Sequence, residues 1–189
     1  VASATNNGTA YENLITTDAV SVAITDTIDD TTVTLTGPAT IAEGQNVTIT
    51  ATVDNAPSGG TLVINLDNGQ TITIADGATT GTVTFLAQSE DVFIDAETAT
   101  YAVASATNNG TAYENLITTD TVSVAITDTI DDTTVTLTGP ATIAEGQNVT
   151  ITATVDNAPS GGTLVINLDN GQTITIADGA TTGTVTFLA

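Results

Sequence analysis

The sequence predicts an all-β protein, and three observations carry that prediction. Apolar and polar residues alternate with a period of two over short segments, as in 47–53, where Val, Ile and Ala alternate with Thr. Thr fills most of the polar positions, which suits the solvated face of a strand. Turn signals such as Gly37-Pro38 and Asp67-Asn68-Gly69 separate the segments, and no segment keeps a helical period over three turns.

One segment of the chain is an almost perfect copy of another. Residues 1–87 recur as residues 103–189, and the only difference is Ala19 against Thr121. The offset of 102 residues is the size of a whole domain rather than of a solenoid repeat. The sequence therefore predicts tandem domains in an extended linear array.

One period predicts seven strands. The first breaks near Pro38, which lacks an N–H group and so favours the edge of a sheet. The third and fourth are joined by the tight turn Asp67-Asn68-Gly69. The predicted strands cover residues 32–41, 46–54, 61–66, 70–75, 80–87, 98–106 and 116–127. Seven short strands in about 100 residues are typical of an immunoglobulin-like sandwich. Without Cys or Trp, its core must consist of Val, Ile and Leu.

The repeat places the domain boundaries. Residues 1–27 are expected to be the last two strands of a preceding repeat, residues 28–129 a complete repeat, and residues 130–189 the first five strands of a following repeat. Because the chain begins at Val1 without a signal peptide, we expect it to be a fragment of a longer protein. Each incomplete repeat exposes strand edges. We expect the C-terminal half repeat of one molecule to dock the N-terminal half repeat of the next, a head-to-tail contact that propagates.

Composition excludes several classes of function. The chain has 22 Asp and Glu residues and no Lys, Arg or His, so its formal charge is -22. Binding to nucleic acids or to anionic membrane surfaces needs basic side chains. No apolar run is long enough to insert into a membrane. Without His, Cys or Lys, most acid–base and nucleophilic machinery cannot be assembled, and we expect no enzyme. The remaining ligands are oxygen atoms, which favour Ca²⁺.

Strand direction sorts the acidic loops to two ends of the sandwich, which we call the N-terminal and C-terminal poles. Glu43, Asp67 and the loop 90–97 are expected at the C-terminal pole, because each strand reverses the direction of the one before. Asp54, Asp76 and the loop that ends in 113–115 are expected at the opposite pole. Acidic linkers, 25–30 and 127–132, connect successive repeats.

These clusters predict calcium sites at the junctions between repeats. Two unit charges about 4 Å apart repel by about 1 kcal/mol in water and by about 4 kcal/mol at a protein-like dielectric. Ca²⁺ relieves such repulsion with six to eight oxygen ligands. The candidate ligands at the following junction are Glu43, Glu90, Asp91, Asp95, Asp128, Asp131, Asp132 and Asp156. Those at the preceding junction are Asp26, Asp29, Asp30, Asp54 and Glu114. The alternative is that the charges only keep the protein soluble, and we favour it for the hairpin residues Asp67 and Asp76.

Three motifs resemble a known family. They are Glu90-Asp91-Val92-Phe93-Ile94-Asp95-Ala96, Tyr113-Glu114-Asn115-Leu116 and Thr127-Asp128-Thr129-Ile130-Asp131-Asp132. Together they resemble the immunoglobulin-like extender repeats of large bacterial repeats-in-toxin (RTX) adhesins. The resemblance implies a type I-secreted, extracellular protein of the bacterial cell surface. It implies that tandem repeats, stiffened by calcium, project a distal ligand-binding domain. The chain lacks the glycine-rich nonapeptide repeats and the C-terminal secretion signal of that family.

Two further hypotheses stay open beside the calcium-rigidified spacer. Outward Thr rows, such as Thr48, Thr50 and Thr52, are candidates for binding a glycan or ice, although any half-exposed strand favours Thr. Flat ranks of Thr across adjacent strands would favour that function. A carboxylate-only glycosidase needs two acids facing across a cleft. Three Tyr and three Phe are too few to line one, which disfavours it.

Overall fold

The computed structural model describes all 189 residues, and the chain is all-β. None of its elements is a helix of the length and apolar character that crossing a membrane takes. Nine strands lie within residues 30–127: β1 (Asp30–Thr36), β2 (Thr40–Ala42), β3 (Asn46–Val53), β4 (Leu62–Leu66), β5 (Thr71–Ile74), β6 (Thr80–Leu86), β7 (Glu97–Asn108), β8 (Asn115–Ile117) and β9 (Thr121–Thr127). We call residues 30–129 the central repeat.

The central repeat consists of two sheets packed over one core. One sheet has the strand order β6-β3-β1-β8 and the other has the order β2-β9-β7-β4-β5. The inward row of β3, Val47, Ile49, Ala51 and Val53, is buried throughout. Side chains from both sheets join it in a single cluster, which includes Leu35, Leu62, Ile64, Leu66, Ile72, Ile74, Tyr101 and Val124. The period-two alternation therefore specifies the buried face, as predicted.

Two of the seven predicted strands are each divided between the sheets, so the central repeat has nine strands. The first predicted strand becomes β1 and β2, and the last becomes β8 and β9. Pro38 removes a donor where the chain crosses from one sheet to the other. On the neighbouring crossing, the side chain of Asp120 accepts the Leu35 N–H at 2.7 Å. Of the two strands that replace the first predicted strand, β2 lies at the edge of its sheet, as predicted. The prediction of an edge strand is wrong for β1, which lies between β3 and β8.

An aromatic pair fills the C-terminal end of the core. The rings of Phe85 and Tyr101 meet edge to face, with centroids 5.3 Å apart and an interplanar angle of 83°. Burial of the Tyr101 ring, reinforced by the negative charges of Glu97 and Asp67, raises the pKa of its hydroxyl above the ordinary value.

Residues 1–29 form no strand. Their copies in the central repeat form the second half of β7, β8 and β9, which pair with β4, β1 and β2. Residues 1–27, where two strands were predicted, therefore pair with no other strand of this chain. Ile24 is 94% exposed, whereas its copy Ile126 is 2% exposed.

Residues 130–189 hold the last five strands: β10 (Val135–Thr138), β11 (Asn148–Val155), β12 (Leu164–Asn167), β13 (Thr173–Ile176) and β14 (Thr182–Leu188). They form two small sheets, β10-β11-β14 and β12-β13, over a core of only four buried residues, Ala153, Val155, Ile174 and Ile176. We call residues 131–189 the open repeat, because it lacks counterparts of β2 and of β7 to β9. The boundaries between repeats stay a prediction.

A matched pair of substitutions tests whether burial depends on these partners. Ile126→Ala is expected to lower the free energy of unfolding of the central repeat by about 2–5 kcal/mol, because it removes a buried aliphatic side chain. Ile24→Ala, in nearly the same sequence context, is expected to change it by less than about 0.5 kcal/mol. Urea unfolding followed by circular dichroism at low protein concentration measures both. Equal effects would contradict the described difference in burial.

Candidate metal centre

Glu43 is the most unusual side chain of the C-terminal pole. It follows β2, and its backbone N–H donates to the carbonyl of Thr127 at 3.0 Å. Its carboxylate is inside the protein, and the residue is only 1% exposed. Oε1 accepts hydrogen bonds from the backbone N–H of Thr129 at 2.8 Å and from its hydroxyl at 3.2 Å. Oε2 is buried without any hydrogen-bond partner.

No basic side chain is present to neutralise Glu43. The chain contains no Lys, Arg or His, and the ammonium group of Val1 lies against the carbonyl of Asp18. A buried charge without a partner costs several kcal/mol. Any positive charge that compensates the Glu43 carboxylate therefore has to come from outside the chain.

Two other carboxylates meet Glu43. One ligand oxygen each from Glu43, Asp91 and Asp95 lie within 4.8 Å of one another. Asp91 and Asp95 belong to the loop between β6 and β7. The side chain of Asp91 accepts the Phe93 N–H at 2.8 Å, and the Asp95 N–H donates to the side chain of Asp128 at 3.1 Å. The loop is thereby tied to the linker, and three acidic groups converge on one point.

Glu90 and Gln88 border this cluster. Glu90 accepts the Thr129 hydroxyl at 3.2 Å. A side chain at Gly44, which has a φ of 72°, would lie 2.8 Å from the other oxygen of Glu90, so glycine is required there. The side-chain oxygen of Gln88 is buried and unpartnered, while its amide nitrogen contacts the carbonyl of Asp95 at 3.4 Å. Gln88 is not among the ligands predicted from the sequence, where its only signal is an amide side chain two residues before Glu90.

The other candidates of this junction lie farther away. Asp131 lines an open cleft of about 480 Å³ between the loop 92–94 and the linker. Asp132 makes no side-chain hydrogen bond to the cluster. Asp156 accepts the Thr134 N–H at 2.8 Å, and that backbone hydrogen bond lowers the pKa of its carboxyl. The structure therefore does not bring Asp132 and Asp156 to the site: Asp132 precedes β10, and Asp156 follows β11.

At the preceding junction, carboxylates accept hydrogen bonds from the chain itself. Glu114 accepts the Asp29 N–H at 2.6 Å, and Asp54 accepts the Thr32 N–H at 2.8 Å. Asp30 accepts the side-chain amide of Asn115 at 2.7 Å. These carboxylates lie at one pole, as predicted, but no three of them come within ligand distance of one another.

The remaining acidic groups of that pole satisfy local donors. Asp26 accepts only the N–H of its neighbour Thr27, at 3.1 Å. Asp76 accepts the Gly59 N–H at 2.9 Å and so links the turn after β5 to the loop between β3 and β4. The hydroxyl of Tyr113 donates to the carbonyl of Asn55 at 2.9 Å. Burial, together with the nearby charge of Asp54, raises the pKa of that hydroxyl.

The outer face of the β6-β3-β1-β8 sheet carries ordered Thr ranks. The registers place Thr34, Thr52 and Thr80 side by side, and Thr36, Thr50 and Thr82 in a second rank. A third rank pairs Thr48 with Thr84, whose hydroxyls are 2.8 Å apart. The open repeat has the same ranks on β10, β11 and β14. The ranks extend across adjacent strands, which is one part of the arrangement that favours a ligand-binding face.

Comparison with known proteins gives one family. A model of the LapA domain matches residues 29–129 and again residues 131–189. No curated protein gives a significant match. A solved structure of Clostridium thermocellum CbhA fibronectin(III)-like modules is 18% identical, and the alignment covers 82% of this chain and 78% of that chain with a TM-score of 0.26.

Proposed function

The chain belongs to the LapA domain family, and from that premise we propose that it is a calcium-rigidified extender segment of a giant bacterial surface adhesin. The family is one of large adhesins, which makes this a cell-surface or extracellular protein. The proposal adds that the repeats are immunoglobulin-like sandwiches in a linear array, as in the RTX adhesins that the motifs resemble. Such an array projects a distal ligand-binding domain after type I secretion.

The single observation that carries the calcium part of the proposal is the Glu43 carboxylate. It is buried, one of its oxygens has no partner, and two further carboxylates converge on it. A cluster of exposed acidic residues needs no ion, but a buried and unpaired carboxylate does need compensation.

The donor set suits a hard cation. Glu43, Asp91 and Asp95 offer carboxylate oxygens, and Gln88 offers a buried amide oxygen. Glu90 and Asp128 lie at the border of the same cluster. Ca²⁺ accepts oxygen ligands in flexible geometry, which matches ligands drawn from a turn, a loop and a linker. Thiolate or imidazole ligands are absent from the sequence.

Calcium at this position would act on the linker. The hydrogen bonds of Thr129 to Glu43 and Glu90 hold the start of the linker on the central repeat. The Thr134 N–H is held by Asp156 of the open repeat. The four intervening residues span at most about 17 Å. An ion that holds the Glu43 carboxylate in place would also hold Thr129, at one end of the linker residues 130–133. Because this segment is short, the two repeats would then have little room to pivot.

Glu43→Gln tests the ion through stability. In chelator, the variant is expected to melt at the same temperature as the parent or higher, because it removes a buried uncompensated charge. For a dissociation constant of about 10⁻⁴–10⁻³ M, a calcium concentration of about 10–100 mM is 100 times that constant. There the parent is expected to gain about 2.7 kcal/mol, and the variant much less. Differential scanning calorimetry with and without calcium measures both.

Glu145→Gln is the matched control, since Glu145 is the exposed copy of Glu43 in the same sequence context. It is expected to leave the calcium response of the central repeat unchanged. A parent protein whose melting temperature ignores calcium would overturn the proposal.

Small-angle scattering tests the stiffening separately. Chelation is expected to shorten the mean maximum dimension of the parent by on the order of 10 Å, because the tether then pivots freely. Glu43→Gln is expected to have the shorter dimension in both conditions. If calcium raises the melting temperature without changing the scattering curve, the ion stabilises the fold but does not restrict the motion between repeats.

The Thr ranks favour a second candidate function, a ligand-binding adhesion face for a glycan or for ice. Strand spacing and side-chain alternation repeat along and across the sheet, so the hydroxyls form a two-dimensional array. Such an array suits a ligand that is itself repetitive. The twist of the sheet, about 20–25° per strand, limits how flat the array is, which is why we place this function second.

A bulky pair of substitutions tests the Thr array. Thr82→Tyr with Thr184→Tyr is expected to reduce binding to insoluble cellulose, chitin or ice by about tenfold or more, because the rings interrupt a rank in both repeats. Thr73→Tyr with Thr175→Tyr, at exposed positions of the other sheet, is the control. Depletion from solution measures binding. A parent protein that binds none of these solids would rule out the second function.

A further inference from the structure

We propose that the central repeat has a mechanical function, in which its first and last strands form a clamp that bears tension applied along the chain. The clamp consists of residues 29–43 and 114–129, and the carboxylate of Asp120 holds its middle together. The source of the tension, a distal domain bound far from the cell, rests on the proposed function. The clamp itself needs no calcium.

The two segments of the clamp run side by side in one register. Strand β1 pairs with β8, and β2 pairs with β9, both in parallel. Both ladders keep the offset of 85 residues that also separates Leu35 from Asp120. The first ladder belongs to one sheet and the second ladder to the other. The clamp therefore spans both layers of the sandwich.

Asp120 holds the clamp where its strands change sheets. Between β1 and β2 the chain passes through Pro38, which has no N–H to offer to a ladder. Nearby, the carboxylate of half-buried Asp120 accepts the N–H of Leu35 at 2.7 Å. The N–H of Ala125 donates to the carbonyl of Ala39 at 3.0 Å. Because a charged acceptor makes a stronger hydrogen bond than a neutral one, the Asp120 side chain compensates for the interrupted ladder.

Further hydrogen bonds extend the clamp beyond its strands at both poles. At the N-terminal pole, the side chain of Glu114 accepts the N–H of Asp29 at 2.6 Å. At the C-terminal pole, the N–H of Glu43 donates to the carbonyl of Thr127 at 3.0 Å. The linkers leave the repeat at these two ends. The bonds thus lie where tension enters and leaves the repeat.

The parallel direction of the strands decides how these bonds are loaded. Tension pulls Asp29 outward at the N-terminal pole and Thr129 outward at the C-terminal pole. Since both segments run from the first pole to the second, they are pulled past one another along their length. The bonds of both ladders are then strained at the same time, whereas ends pulled apart at one pole would open them singly. Forced unfolding depends on the unfolding rate, and that rate is lower when many bonds must break together.

Pulling the full chain in two directions tests the clamp. The sequence has no Cys, so introduced Cys residues are unique attachment points. Ile28→Cys with Ile130→Cys, at exposed positions of the two linkers, shears the clamp along its length. Ile28→Cys with Ala112→Cys, both at the N-terminal pole, peels β1 from β8. In chelator and at equal force in optical tweezers, the peeled repeat is expected to unfold at least about tenfold faster, because its bonds break singly.

Asp120→Ala tests the middle of the clamp. In the shearing direction it is expected to unfold about tenfold faster than the parent, because it loses a hydrogen bond to a charged acceptor. In the peeling direction the change is expected to stay below about twofold. Asp120→Asn keeps an acceptor oxygen and is expected to recover most of the loss. Circular dichroism checks that each variant keeps its fold.

Asp76→Ala is the matched control. The carboxylate of Asp76 also accepts a backbone N–H, from Gly59 at 2.9 Å, but it lies outside the clamp. This variant is expected to change the shearing rate by less than about twofold.

Equal unfolding rates of the parent in the two directions would overturn the clamp. The role of Asp120 is overturned if Asp76→Ala accelerates shearing as much as Asp120→Ala, or if Asp120→Ala acts equally in both directions. Because chelator is present throughout, these outcomes are independent of the calcium site. A protein that ignores calcium can still resist shearing, and a protein that binds calcium can still lack the clamp.

Discussion

The structure depends on one constraint, which is that a chain with -22 charges contains no basic side chain. Each carboxylate has to be satisfied by water, by an N–H or O–H donor of the chain, or by something from outside. Most of the loop carboxylates accept backbone or amide donors, including Asp30, Asp54, Asp76, Asp120 and Glu114. Glu43 has donors for only one of its two oxygens and is shielded from water. The buried carboxylate oxygen without a hydrogen-bond partner therefore lies at one place, beside the linker.

Glu43 and its copy Glu145 show that the burial of a residue here depends on which strands pair beside it, and not on its neighbours in sequence alone. Glu145 has the same neighbours in sequence as Glu43, yet it is exposed. The difference follows from β9, which pairs with β2 and brings Thr127 and Thr129 against Glu43. The open repeat has no counterpart of that strand. The candidate metal centre is thus a product of a completed repeat, and local sequence alone does not create it.

The sequence predicted strands well where alternation was strict and poorly where the chain changes sheets. The boundaries of β3 to β6 agree with the predictions within one residue. The division of the first and last strands was missed, although Gly37-Pro38 interrupts the alternation in the first strand and the polar residues 118–121 interrupt it in the last. The alternating direction of successive strands correctly placed Glu43, Asp91 and Asp95 at one pole, where their ligand atoms lie within 4.8 Å of one another. It could not predict the buried amide of Gln88 or the attachment of Asp156 to its own repeat, because those depend on side-chain packing and on hydrogen bonds.

The cluster of Glu43, Asp91 and Asp95 lies at the end of a strand pair that would bear mechanical tension applied along the chain. The first and last strands of the central repeat pair in parallel, β1 with β8 and β2 with β9. Tension between Asp30 and Thr127 would pull such pairs along their length, so that the hydrogen bonds of a ladder are strained together. The ladder of β2 and β9 continues directly into the bond from the Glu43 N–H to the Thr127 carbonyl, and then into the contacts of Glu43 with Thr129. A cation bound by Glu43, Asp91 and Asp95 would therefore add its ligand bonds to the end of this ladder. In that arrangement, one ion serves the stability of the repeat and the stiffness of the linker through the same side chain.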